Sequence, residues 1–107
     1  MKSGNLLDQM DPSAKQELTQ LICRREGVRI ERIVSTGQSS PPGFWYDQPE
    51  HEWVLVLEGR GVIEFEGQRP DRELARGDFL LIEPHCRHRV SWTDPDQPTV
   101  WLAVFFQ

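Results

Sequence analysis

From residue 28 onward the chain is cut into short apolar runs by turn residues, and this spacing limits the fold more than any other feature. The runs are Val28–Ser35, Glu52–Glu58, Gly61–Glu66, Arg72–Leu74, Phe79–Ile82, His88–Trp92 and Thr99–Phe106. Between them lie Thr36–Gly43, Gly59–Gly61, Gly67–Asp71, Gly77–Asp78, Glu83–Arg87 and Asp94–Pro98, all rich in turn formers. Within the first run Val28, Ile30, Arg32 and Val34 alternate with Arg29, Glu31, Ile33 and Ser35, a period-two pattern with apolar residues on both faces. Strands this short, at about ten-residue spacing and joined mostly by short turns, predict an all-β antiparallel sandwich or small barrel.

Upstream the pattern changes. Asp11 suits a helix N-cap, Pro12 the first helical position and Glu17 the opening turns. Leu18, Leu21 and Ile22, with Ala14, recur at three- and four-residue spacing. Arg24 and Arg25 then precede Gly27, as befits the end of a helix. This reading predicts a helix over about 12–25, packed as a lid, and divides the chain into an N-terminal segment 1–27 and a barrel 28–107.

A chain of 107 residues can bury roughly two thirds of its extended surface in one domain, so it needs no disulfide staples. Cys23 and Cys86 form no CxxC pair and provide no disulfide framework. The net charge of −5 and the scatter of ten arginines without a basic block argue against a nucleic-acid partner. The apolar runs are too short to cross a bilayer, and the N-terminus lacks the apolar stretch of a signal peptide. The expectation is a cytoplasmic protein with no membrane partner. Val100–Phe106 is apolar on both faces, which calls for cover within the barrel or by a second subunit. A homodimer is therefore expected.

Two stretches carry a family pattern. Glu52-Trp-Val-Leu-Val-Leu-Glu-Gly59 reads E-x6-G, and Gly77-Asp-Phe-Leu-Leu-Ile-Glu-Pro-His-Cys-Arg-His88 places a histidine eleven residues after a Gly-Asp turn. Together they resemble the two signature motifs of the cupin superfamily, G-x5-H-x-H-x3,4-E-x6-G and G-x5-P-x-G-x2-H-x3-N. The resemblance covers about residues 28–107 and is strongest to small single-domain bacterial cupins. It implies a jelly-roll β-barrel whose open mouth holds a metal or a small ligand. The match is incomplete. Where the first motif has histidines this chain has Trp45 and Asp47, or Tyr46 and Gln48 with the shorter spacing. In the second, Glu83 followed by Pro84 replaces the proline, His85 stands at the glycine, and Trp92 at the asparagine.

The resemblance leaves Glu52 and His88 of the usual four ligands, with Asp47 as a chemically plausible third. One imidazole and two carboxylates favour Mn, Fe(II), Mg or weakly held Zn over copper. The plain alternative makes Asp47 and Glu52 solvated loop-end acids and His88 a hydrogen-bonded barrel histidine. His85 occupies a turn position that tolerates positive φ. Bent inward it would complete a two-histidine, one-carboxylate face; otherwise it lies at the mouth or in solvent. His51 adjoins Glu52, so in a strand it faces the other way. Trp45, Tyr46 and Gln48 are candidates for a pocket wall, whereas Trp53 and Trp101 read as core. Arg60, Arg87 and Arg89 could hold an anion, although strand alternation sends most of them to solvent.

Two functions follow. In one, a pocket holds a divalent metal through Asp47, Glu52 and His88 and supports metal-assisted chemistry on a small molecule. In the other, a metal-free module binds a small ligand through aromatics and a few polar groups, without catalysis. A sensor or partner-binding role lacks the helix-turn-helix or second domain it would need. The sequence does not decide whether the protein is an enzyme.

Overall fold

The alternation that begins at Val28 is realised as a two-sheet, all-β barrel in the computed structural model, which describes residues 1–67 and 69–107. Residue 68, inside the turn expected over Gly67–Asp71, lies outside them. Eight strands form: β1 (Leu18–Arg25), β2 (Val28–Ser35), β3 (His51–Glu58), β4 (Arg60–Phe65), β5 (Arg72–Ala75), β6 (Phe79–Ile82), β7 (His88–Thr93) and β8 (Thr99–Phe106). One sheet has the order β1-β2-β8-β3-β6 and the other β5-β4-β7, with every pairing antiparallel. Strand alternation turns Val54 and Val56 of β3 and Trp101, Ala103 and Phe105 of β8 inward, to meet Ile63, Leu74 and Ile82. Each such side chain contributes about 1.5–3 kcal/mol by leaving water. Gly61 has no side chain because the Trp101 ring occupies the space a Cβ would need.

The helix expected over 12–25 does not form, and no α-helix occurs among the described residues. Asp11 does cap, but it caps a single turn: its carboxylate accepts from the Ser13 amide at 2.9 Å and its carbonyl from the Ala14 amide at 3.1 Å. The chain then extends as β1 and pairs with β2 through a two-residue turn in which Gly27 takes φ 76°. The spacing of Leu18, Leu21 and Ile22 does not make a buried stripe: Leu18 and Leu21 lie three residues apart in one extended segment, on opposite faces, and both are exposed. The register slips between Leu21 and Cys23, so Ile22 is the extra residue of a β-bulge.

The first ten residues lie against the outer side of the larger sheet. Arg32 of β2, only 4% exposed, donates from Nε to the Leu6 carbonyl at 2.8 Å, and its other nitrogens bond the Asp8 carbonyl and the Gln20 amide oxygen. Arg32 thereby ties the N-terminal segment to the barrel. No helix of the described residues is long and apolar enough to cross a membrane.

Candidate functional site

Glu52 is the second residue of β3, and alternation points it into the barrel with Val54 and Val56. Across the interior His88 opens β7. Both are buried, at 9% and 3% exposure. Glu52 Oε1 stands 3.3 Å from His88 Nε2 and accepts a hydrogen bond from Gln48 Nε2 at 3.0 Å. His88 Nδ1 lies 2.8 Å from the Cys86 carbonyl, which can only accept, so this nitrogen carries a proton. With an acceptor at each ring nitrogen, the imidazolium is well accommodated. Burial opposes the charge, but the hydrogen bonds to Glu52 and the Cys86 carbonyl, with the Glu52 charge, outweigh it and hold the His88 pKa above its ordinary 6.5.

Segment 44–48 closes over this pair. Tyr46 forms an isolated antiparallel bridge with His88, its amide donating to the His88 carbonyl at 2.7 Å and its carbonyl accepting at 3.2 Å. The phenol ring stacks on the imidazole at 5.5 Å between centroids. The His85 amide donates to the Gln48 carbonyl at 2.8 Å, fixing the residue whose side chain holds Glu52. Two backbone attachments thus bring Tyr46 and Gln48 to the cavity. Trp45, expected beside them, is half-buried but does not line it.

Asp47 points elsewhere. Its carboxylate meets His85 Nδ1 at 2.8 Å on the exposed side of the segment, where both side chains are substantially solvated. His85 has φ 59°, the left-handed conformation suited to the glycine usual at that motif position. Glu52 and His88 are therefore brought together, while Asp47 and His85 pair with each other outside. His51 faces away from Glu52 and stacks on Phe106 at 4.9 Å. Arg60 and Arg89 bond Glu73 and Glu64, and Arg87 lies 3.5 Å from Glu66.

The cavity measures about 130 Å³. Glu52, His88, Gln48 and Tyr46 share it with Val54, Ile63, Val90, Trp101 and Phe105, and with three residues that sequence reasoning did not place there: Glu17, Thr19 and Glu31. Glu31 was legible as the inward partner of Ile33. Glu17 was not, because it was assigned to a helix. It lies just before β1, and although the residue keeps solvent contact, its Oε2 accepts from the Ser35 hydroxyl at 3.0 Å. Ser35 is fully buried, and its oxygen accepts from Trp101 Nε1 at 3.1 Å. Partial desolvation raises the Glu17 pKa despite the Ser35 bond. Desolvation also raises the Tyr46 pKa, helped by the charges of Glu17, Glu52 and Glu31.

A mononuclear metal centre of the kind the motifs suggest needs three or four protein donors around one point. Here Glu52 and His88 converge, Asp47 is turned out, and no group of three His, Cys, Asp or Glu among the described residues is arranged to hold an ion. The residues present do not fit a metal. They fit a hydrogen-bonded Glu52–His88 pair facing a small, mostly apolar cavity with aromatic walls.

The Cupin domain family model matches residues 31–105. No curated protein matches the chain. Among solved structures, a "putative mannose-6-phosphate isomerase" from Ralstonia eutropha JMP134 is 50% identical, with 100% of this chain and 99% of that chain covered and a TM-score of 0.95. A cupin superfamily protein from Desulfitobacterium hafniense DCB-2 is 19% identical over 91% of this chain and 83% of its own, with a TM-score of 0.74. The DMSP lyase DddQ from Ruegeria pomeroyi DSS-3 is 16% identical over 94% of this chain and 51% of its own, with a TM-score of 0.72. At these lower identities the likeness is one of fold.

Proposed function

Because this chain belongs to the cupin family, we propose that it is a small-molecule-binding barrel whose ligand sits between Tyr46 and the Glu52–His88 pair and requires no bound metal. The observation that carries this reading is the buried pair itself, with Glu52 and His88 at 3.3 Å on the wall of a small cavity. A fixed imidazolium is a hydrogen-bond donor and a proton source, and a carboxylate beside it is the matching acceptor. If the bound molecule is transformed, proton transfer is the chemistry these residues are equipped to supply. The name of the Ralstonia relative would call for a sugar phosphate. No Lys or Arg lines this cavity to neutralise a phosphate, so that substrate is poorly matched here.

The test combines metal analysis with ligand screening. Untagged protein grown with Mn, Fe, Zn and Ni is expected to hold no stoichiometric metal. A library of small polar molecules screened by 15N-histidine NMR is expected to contain compounds that shift the His88 ring signals. His88→Gln should lose their binding. Stoichiometric metal released by Glu52→Ala and His88→Ala would sink the metal-free reading.

We also propose that the protein works as a homodimer joined through the outer face of the larger sheet. Support comes from β6, where Phe79 and Leu81 are 61% and 51% exposed, with the Trp53 ring 5.9 Å from Phe79. Exposed apolar side chains gathered on a sheet face mark an association surface.

A further inference from the structure

The lining of the cavity is unevenly charged. Three carboxylates contribute to it, and two have cationic or amide partners. Glu31 bonds Arg29 Nε at 2.9 Å, and Glu52 meets His88 and Gln48. Glu17 receives only the Ser35 hydroxyl, and no Arg, Lys or His among the described residues lies within ion-pair distance of it. Ser35 does more than occupy an acceptor site. Its oxygen already accepts from the Trp101 indole, so its single proton is directed to Glu17 and orients that carboxylate. Trp101 itself lines the cavity, as do Phe105 and Tyr46. An anion entering would face three carboxylates and no Lys or Arg, and the one cationic group of the lining, His88, is already paired with Glu52. A cation would find one carboxylate without a counter-ion and aromatic faces that attract positive charge.

We propose that the cavity selects a compact organic cation, an alkylammonium or quaternary ammonium of a few carbons, with Glu17 as its counter-ion. This rests on reading the cavity as the ligand site, and it names the class of ligand. The volume of about 130 Å³ is roughly four times the share of liquid occupied by one water, which suits a head group of this size and excludes bulky amines. Glu17 lies outside residues 31–105, so this selectivity is contributed by the edge strand and its approach and not by the matched family region.

Isothermal titration with choline, tetramethylammonium, the neutral isostere 3,3-dimethylbutan-1-ol, acetate and inorganic phosphate tests the assignment on the whole chain. Choline or tetramethylammonium should bind about tenfold or more tighter than the alcohol. Glu17→Gln, which keeps the hydrogen-bonding shape, should erase that difference. Ser35→Ala should weaken the cations less than Glu17→Gln does, since the carboxylate survives. Equal binding of the alcohol, tighter binding of acetate or phosphate, or cation binding indifferent to Glu17→Gln would each overturn the proposal. Silence of both cations at tens of millimolar would do the same. If the alcohol or an anion binds and moves the His88 signals, the cavity reading stands and only the ligand class falls. If the library screen also leaves His88 unmoved, both fall.

Discussion

The site turns on the state of one imidazole. Two acceptors hold His88 as a donor at both nitrogens, and burial works against its charge without prevailing. A folded-state pKa above the unfolded value of about 6.5 means that the folded protein binds the proton more tightly. The resulting stabilisation is complete below that unfolded value and declines as pH rises through the folded one. Urea unfolding as a function of pH should therefore show stability falling as pH rises above about 6.5 in the wild type, with a shallower slope in His88→Gln. His88→Ala should cost about 3 kcal/mol near neutral pH, because the Glu52 carboxylate is left buried with Gln48 alone. A slope unchanged by either variant would mean that His88 is neutral in the fold.

At this scale the sequence was partly legible. Glu52 and His88 were picked out by the resemblance to the two cupin motifs, which implied that both face into the barrel, as they do. The positive φ at His85 was also readable, from its standing at a glycine position. Asp47 was placed among the candidates by spacing alone, but spacing does not say on which side of an irregular segment a carboxylate emerges. Its neighbour His85, brought close by the amide bond to Gln48, settles it on the outer side.

Among elements, the edge strand β1 shows how a local pattern can mislead. Leu18, Leu21 and Ile22 have a helical spacing yet lie in an extended strand with a bulge at Ile22, and the Asp11 turn supplied a genuine cap with no helix to follow. Pairing with β2 overrode both signals. The seven runs downstream had no such conflict. Their alternation agreed with their turns, so each appears as a strand with ends shifted by a residue or two. Packing between strands was beyond the sequence, and Gly61 is the clearest case. It reads as a turn residue but lies within β4 beneath Trp101. Gly61→Ala should destabilise by about 1–3 kcal/mol through overpacking, measured by chemical denaturation. It should also perturb the indole signal of Trp101, because the ring must shift to admit a methyl group. A neutral substitution would show that the ring relaxes freely.

For the whole molecule, the expectation about β8 changed in kind. β2 and β3 pair with its two edges and the core takes its inner face, while Leu102, Val104 and Phe106 on the outer face are half-buried. Phe79 and Leu81 of β6, at the end of the same sheet, are instead the exposed pair next to Trp53. Light scattering should give a dimer for the wild type and a monomer for the Phe79→Glu, Leu81→Lys pair, with the barrel still folded. A monomeric wild type at micromolar concentration would remove the assembly proposal without touching the cavity.

The line from the Trp101 indole through Ser35 to Glu17 joins the centre of the barrel to a segment that precedes its first strand. The frame and the proton-carrying pair lie within the core domain, while the unneutralised charge is supplied by a strap laid against it. Such a layout separates two properties that most pockets keep entangled. Under the proposed reading, substitutions in the strap alter what the cavity admits and leave the Glu52–His88 pair in place. Its reach into the centre is reported by an indole whose fluorescence should respond to whatever settles against Glu17.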